Sequence, residues 1–226
     1  MNDTTGFLFR KPEGVPCTVY LPRDSEPNGT ILFLHGRGEC GTDSTRSLLV
    51  GLPRWLMLEP HRWPFAVVIP QKPEELLPWH HYEKAVMTHL DAAISDHNLD
   101  DNCVAITGLS QGGNGAMRIG AAFADRFRAV VPVCGFPRFF HTEPESEDAA
   151  IVAEVADTLA DSPVRIYHGE ADDVILPEES IKLHKALQER GSSAVLELYP
   201  GVNHNSWDKA YGESDLAEWF AEILAR

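Results

Sequence analysis

The residues of this chain best suited to chemistry lie in the stretch Val104-Ala-Ile-Thr-Gly-Leu-Ser-Gln-Gly-Gly113. A short run rich in β-branched residues leads into a Gly108-x-Ser110-x-Gly112 turn, and a segment rich in small residues follows it. This pattern is typical of a nucleophile elbow, in which a sharp turn from a strand into a helix exposes a serine hydroxyl. Glycines suit such a turn because the tight backbone leaves little room for Cβ atoms two positions from the serine. The pattern therefore predicts that Ser110 is a catalytic nucleophile.

A serine nucleophile needs a histidine to take its proton and a carboxylate to hold that histidine in one tautomer. Three candidate acids, Glu170, Asp172 and Asp173, follow an apolar stretch that ends at His168, and His168 itself is interpreted as structural because it directly ends the strand. His204 is the candidate base, since it alone among the histidines follows the acids on a loop after a predicted strand. The resulting order of serine, acid and histidine is the one that accompanies a nucleophile elbow.

Residues 34–39, Leu-His-Gly-Arg-Gly-Glu, follow another strongly apolar run. Small residues directly after a strand allow backbone N–H groups to face a bound oxygen, so this loop is a candidate for half of an oxyanion hole. We predict that the backbone N–H of Arg37 is one donor and that of Gln111, the residue after the serine, is the other. The alternative is an ordinary glycine-rich turn in which His35 packs locally.

The elements that must position these residues alternate along the chain. Most predicted strands are apolar nearly throughout, which is typical of strands buried on both faces of a parallel sheet. They cover residues 17–21, 30–34, 66–69, 103–107, 129–134, 164–168 and 194–199. Predicted helices cover residues 44–59, 82–97, 113–124, 149–160, 177–190 and 206–225. The alternation favours one α/β domain over residues 1–226, a three-layer α/β/α sandwich with a mostly parallel sheet, whose ligands bind beyond the carboxyl ends of the strands.

Composition restricts the partners. The formal charge of −15 argues against nucleic acid or an anionic membrane surface as the main partner, because both attract basic patches. No signal-peptide pattern and no apolar run near 18 residues is present, so we expect a cytoplasmic protein without a membrane span. The four cysteines lack metal-ligand spacing, and adjacent pairs such as His80-His81 rarely point at one ion, so we expect no metal. Oligomeric state stays open.

The chain resembles α/β-hydrolases of the carboxylesterase, phospholipase and acyl-protein thioesterase type, and also the related predicted-peptidase and polyhydroxybutyrate-esterase-like proteins. The matching segments are residues 34–38, residues 108–113, Val131-Pro-Val-Cys-Gly135, His168-Gly-Glu-Ala-Asp172 and His204-Asn-Ser-Trp207. The resemblance implies the α/β-hydrolase fold, a serine mechanism without a cofactor, and Asp172 rather than Asp173 as the acid. Dienelactone hydrolases share the fold, but their nucleophile is a cysteine where this chain has Ser110. We expect neither a large lid nor a propeller domain.

These patterns together predict a serine hydrolase that cleaves small, short-chain carboxylic esters or thioesters through Ser110, His204 and Asp172. The pocket wall is assigned to apolar residues near the predicted site, namely Trp79, Leu109, Phe136, Phe139, Phe140 and Trp207. A peptidase or amidase with the same triad stays open, because attack on an ester and on an amide uses the same groups. The non-enzymatic alternative is a binding protein that has kept the hydrolase fold.

Overall fold

The computed structural model describes residues 6–10 and 14–225, and within them eight strands form one sheet. The strands are Phe7–Arg10 (β1), Cys17–Tyr20 (β2), Thr30–Leu34 (β3), Ala66–Pro70 (β4), Val104–Leu109 (β5), Ala129–Val133 (β6), Arg165–Gly169 (β7) and Val195–Tyr199 (β8). Their spatial order is β1-β2-β4-β3-β5-β6-β7-β8. β2 pairs antiparallel with both β1 and β4, and all other pairs are parallel, so the predicted mostly parallel sheet is confirmed.

Helices cover both faces of this sheet. They are Gly51–Leu58 (α1), Glu83–His97 (α2), Gln111–Ala122 (α3), Asp148–Leu159 (α4), Glu178–Gln188 (α5), Trp207–Gly212 (α6) and Leu216–Leu224 (α7). Helices α2 to α5 share one buried cluster with Leu32 and Leu34 of β3, whereas α1, α6 and α7 share another with Ile31 and Phe33. Successive side chains of a strand point to opposite faces, so one apolar strand supplies both cores. The predicted α/β/α layers are confirmed.

The seven predicted strands lie within two residues of their observed bounds, but β1 was not predicted. This strand has only four residues at the edge of the sheet, where Phe7 is buried and Phe9 is 53% exposed. Such a short, half-buried segment lacks the continuous apolar run that marks the central strands.

Among the helices that the structure describes, none is both long and apolar enough to cross a membrane.

Two predicted helices are broken in the structure. Residues 44–59 form a 3₁₀ helix at Arg46–Leu49 and then α1, which starts at Gly51 with a φ of +59°. Residues 206–225 divide into α6 and α7, and the Ser214 hydroxyl accepts a hydrogen bond from the Leu216 N–H at the start of α7. Serine and aspartate are favoured beside helix starts, so the Ser214-Asp215 pair is the local signal for this break, and of the two only Ser214 accepts a hydrogen bond from the start of α7.

Candidate active site

Ser110 occupies a strained turn between β5 and α3. Its φ of +55° and ψ of −117° lie in a region that side-chain-bearing residues seldom adopt. A Cβ atom at Gly108 would lie 2.3 Å from the Gly112 carbonyl oxygen, and one at Gly112 would lie 1.9 Å from the Leu34 carbonyl oxygen. Both glycines are therefore needed for steric reasons, and the turn has the strand–turn–helix form of a nucleophile elbow.

The loops after β5, β7 and β8 bring the three predicted residues into one hydrogen-bonded series. The Ser110 Oγ lies 3.1 Å from His204 Nε2, and His204 Nδ1 lies 2.7 Å from Asp172 Oδ2. These loops meet because parallel strands end at the same edge of a sheet. Of the three candidate acids, Asp172 is buried, whereas Glu170 and Asp173 are exposed.

The Asp172 carboxylate is fixed by four hydrogen bonds. Its Oδ1 accepts from the backbone N–H groups of Val174 and Ile175, both at 2.9 Å. Its Oδ2 accepts from His204 and also from His168 Nε2, which lies 3.1 Å away. Burial alone would raise the pKa of Asp172, but these hydrogen bonds outweigh it and hold the pKa well below its usual range. Asp172 is therefore an anion that can orient His204 Nδ1–H and stabilise the imidazolium.

Arg37 and Gln111, whose backbone N–H groups are the predicted oxyanion donors, both line the cavity in front of Ser110. Gln111 is the first residue of α3, so its N–H has no carbonyl partner one turn earlier in that helix. Arg37 begins a 3₁₀ turn directly after β3. The side chains of both residues bind Glu75, since Arg37 Nε lies 3.0 Å from its carboxylate and Gln111 Nε2 lies 3.0 Å from its carbonyl oxygen. Their role as oxyanion donors stays a prediction.

His35 and Trp79 anchor the loop that carries Arg37. His35 Nε2 accepts from the Lys72 N–H at 3.1 Å, so its Nδ1 carries the proton and donates to the Gly36 carbonyl at 2.6 Å. Burial lowers the pKa of His35 to about 3, and the ring is therefore neutral near pH 7. Trp79 Nε1–H donates to the His35 carbonyl at 2.9 Å. The assignment of Trp79 to the pocket wall is corrected, because this side chain is fully buried behind the loop.

A cavity of about 470 Å³ opens in front of Ser110. Four of the residues assigned to its wall line it, namely Leu109, Phe136, Phe140 and Trp207. The Phe140 ring stacks on Phe136 with centroids 4.7 Å apart. The assignment of Phe139 is corrected, because that side chain is buried in a small cluster with Phe136 and Ile175 and does not line the cavity. A larger cavity of about 790 Å³ lies beside β1 and contains none of the three hydrogen-bonded residues.

Cys134 brings a thiol close to this site. Potential ligand atoms of Cys134, Asp172 and His204 all lie within 4.8 Å of one another, the only such group of three found among the described residues. Burial raises the pKa of the Cys134 thiol to about 12, which disfavours the thiolate that binds metal ions. His204 Nδ1 and Asp172 Oδ2 are already hydrogen-bonded to each other. These three side chains are therefore poorly suited to binding a metal ion.

Comparisons with known proteins place this site in a family context. Residues 74–215 match the sequence model of the Dienelactone hydrolase family. An "Uncharacterized secreted protein" of Arthroderma benhamiae is 26% identical, over 94% of this chain and 24% of its own length. The "Esterase YjfP" of Escherichia coli is 31% identical, over 52% of this chain and 56% of its own length. This chain thus spans about a quarter and just over half the length of these two curated relatives.

A solved structure described as a "Thermostable Esterase" superposes with a TM-score of 0.77 and 26% identity, over 96% of this chain and 62% of that one. In the part of the chain that the structure describes, no large lid domain interrupts the sheet, in agreement with the predicted fold. The family match covers more than half of the chain and contains Ser110, Asp172 and His204. The expectation that Ser110, in place of a cysteine nucleophile, separates this chain from the dienelactone hydrolases is therefore wrong at the level of the family. The chain therefore belongs to the dienelactone hydrolase family, within the α/β-hydrolase superfamily.

Proposed function

We propose that this protein is a serine hydrolase that cleaves carboxylic esters of small acyl substrates through an acyl-enzyme intermediate. The observation that carries the proposal is the continuous hydrogen-bonded series from Asp172 through His204 to the Ser110 hydroxyl, at the wall of an open cavity. The names of two similar proteins, "Esterase YjfP" and "Thermostable Esterase", support an ester as the substrate.

The arrangement can perform acyl transfer in two steps. Ser110 Oγ attacks the acyl carbonyl carbon while its proton passes to His204 Nε2, and Asp172 stabilises the imidazolium. The backbone N–H groups of Arg37 and Gln111 bind the tetrahedral oxyanion. The intermediate then expels the alcohol, or thiol, which takes the proton from His204. Water gives a proton to His204 and attacks the acyl-enzyme, and the acid leaves as Ser110 regains its hydrogen.

The cavity favours an apolar acyl group. Phe136, Phe140 and Trp207 form its aromatic side, and Leu109 lies directly before the nucleophile. Each buried CH₂ contributes about 0.8 kcal/mol, so a wall of this kind distinguishes acyl groups by their apolar surface. Thioesters fit the same chemistry, since Ser110 attacks an acyl carbonyl in either case.

The proposal is tested with hydrolysis of p-nitrophenyl butyrate. Ser110→Ala removes the nucleophile and should lower kcat by at least about 10³-fold, as loss of a triad member does in other serine hydrolases. Ser47→Ala is the control for loss of a serine hydroxyl elsewhere, because Ser47 is fully buried and lies outside the cavity that Ser110 lines, and its kcat should stay within about twofold. A folded Ser110→Ala variant with wild-type kcat would overturn the proposal. Comparison with a matched anilide distinguishes an esterase from an amidase.

A further inference from the structure

His168, the fourth residue of β7, lies directly behind the acid of the proposed triad. Its Nε2 is 3.1 Å from Asp172 Oδ2 and 2.9 Å from the Ile175 carbonyl oxygen. Its Nδ1 is 2.7 Å from the Ser180 hydroxyl on α5. The side chains of His168 and Asp172 are both fully buried, so water does not compete for these contacts.

The partners of His168 determine its tautomer. Both groups that face Nε2, the Asp172 carboxylate and the Ile175 carbonyl, can only accept a hydrogen bond, so Nε2 carries a proton. In the neutral ring Nδ1 is then an acceptor, and the Ser180 hydroxyl donates to it. A second histidine therefore donates to the same Asp172 oxygen that accepts from His204 Nδ1.

We propose that His168 is a positioning residue for the reaction, which holds Asp172 Oδ2 in line with His204 and is itself set in the correct tautomer by Ser180. This inference rests on the proposed function, because it assigns a role relative to the Ser110–His204 pair. Val174 and Ile175 donate only to Oδ1, so His168 is the residue that anchors Oδ2, the oxygen that faces His204. The order Ser180, His168, Asp172, His204 thus extends the hydrogen-bonded series away from the cavity.

The donor on Asp172 Oδ2 also affects the basicity of His204. A carboxylate that loses a hydrogen-bond donor keeps more of its negative charge and stabilises the neighbouring imidazolium more strongly. The titratable groups that face Asp172 are His168, His204 and the Cys134 thiol, and only His168 is changed in the test. Loss of the His168 donor should therefore move the acid limb of the plot of kcat/KM against pH to higher pH.

The test compares His168→Leu, which removes the donor, with His168→Gln, which keeps a side-chain N–H of similar reach. We expect His168→Leu to lower kcat about tenfold, the equivalent of one hydrogen bond to a charged group, and to raise the acid limb by about half a pH unit. The kcat of His168→Gln should stay within about threefold of the wild-type value, and its acid limb should lie at the wild-type pH. His184→Leu is the control, because it removes a histidine–carbonyl hydrogen bond from the same helix α5 as Ser180, away from Asp172.

Titration of the His204 imidazole by NMR reads the same shift without turnover. A folded His168→Leu variant with the wild-type kcat and the wild-type acid limb would overturn the proposal. Equal losses of kcat in His168→Leu and His168→Gln, without a shift of the acid limb, would overturn it too. If His168→Leu does not fold, Ser180→Ala is decisive: a shift in the same direction supports the proposal, and no shift overturns it. Wild-type protein that hydrolyses no ester contradicts the proposed function instead, whatever the NMR titration shows.

Discussion

His35 makes the stability of the fold depend on pH at the loop beside Ser110. In the folded chain the ring is buried and neutral, with its pKa lowered by burial from 6.5 to about 3, and its Nε2 accepts from the Lys72 N–H. In the unfolded chain the ring takes up a proton near pH 6.5. Between these two values the unfolded state holds one more proton than the folded state, so stability falls as the pH falls.

The magnitude follows from this linkage. One proton corresponds to about 1.4 kcal/mol of unfolding free energy per pH unit. The contribution of His35 is fully present above about pH 6.5 and is lost progressively down to about pH 3. Wild type should therefore lose about 2.5 kcal/mol more than a His35→Gln variant between pH 6 and pH 4, because glutamine fills a similar space and does not titrate.

Urea unfolding, followed by tryptophan fluorescence at several pH values, measures this difference. The other histidines and the carboxylates titrate equally in both proteins, so they cancel when the variant is subtracted from wild type. Parallel curves for the two proteins between pH 6 and pH 4 would refute the reasoning, since His35 would then gain its proton equally in the folded and unfolded states.

Two further predictions concern the turn and the cavity. Gly112→Ala should lower the unfolding free energy by about 3 kcal/mol, because the added Cβ would clash with the Leu34 carbonyl. Gly38→Ala is the control and should change the unfolding free energy by less than about 0.5 kcal/mol, because a Cβ at Gly38 meets nothing within 4 Å. Equal melting temperatures for the two variants would contradict this. Phe140→Ala should raise the ratio of KM for p-nitrophenyl octanoate to KM for p-nitrophenyl acetate about fivefold, because the longer acyl chain loses apolar contact. Leu49→Ala is the control and should leave this ratio unchanged, because Leu49 is exposed and lies outside the cavity. An unchanged KM ratio in Phe140→Ala would contradict this.

Ser110 and His204 could be predicted because each has a local signal in the sequence. Ser110 lies between glycines at fixed spacing, and His204 follows a strand and a Pro-Gly break. The choice among the three acids needed a family resemblance, since Asp172 and Asp173 are adjacent and chemically equal in sequence. In the structure one is buried and the other exposed, a difference that depends on how the loop folds around His168.

The supporting contacts could not be predicted in the same way. His35 contacts the backbone of Lys72, which lies 37 residues further along the chain, and no periodicity links two such positions. Phe139 and Phe140 are neighbours in an irregular loop, where no helical or strand period shows which ring faces the cavity. These placements depend on tertiary packing around the elements, whereas the elements themselves follow from apolar patterning.

The central claim, that Ser110 is the nucleophile, is tested most directly by covalent labelling with a fluorophosphonate. Attack by the serine oxygen on phosphorus displaces fluoride and leaves a stable adduct, which intact mass and peptide mapping locate. We expect one adduct per chain, on Ser110, and labelling at least about 10³-fold slower in His204→Ala, because the hydroxyl then lacks its base. An ester-hydrolysing protein that gives no adduct, or an adduct only at another residue, would contradict it.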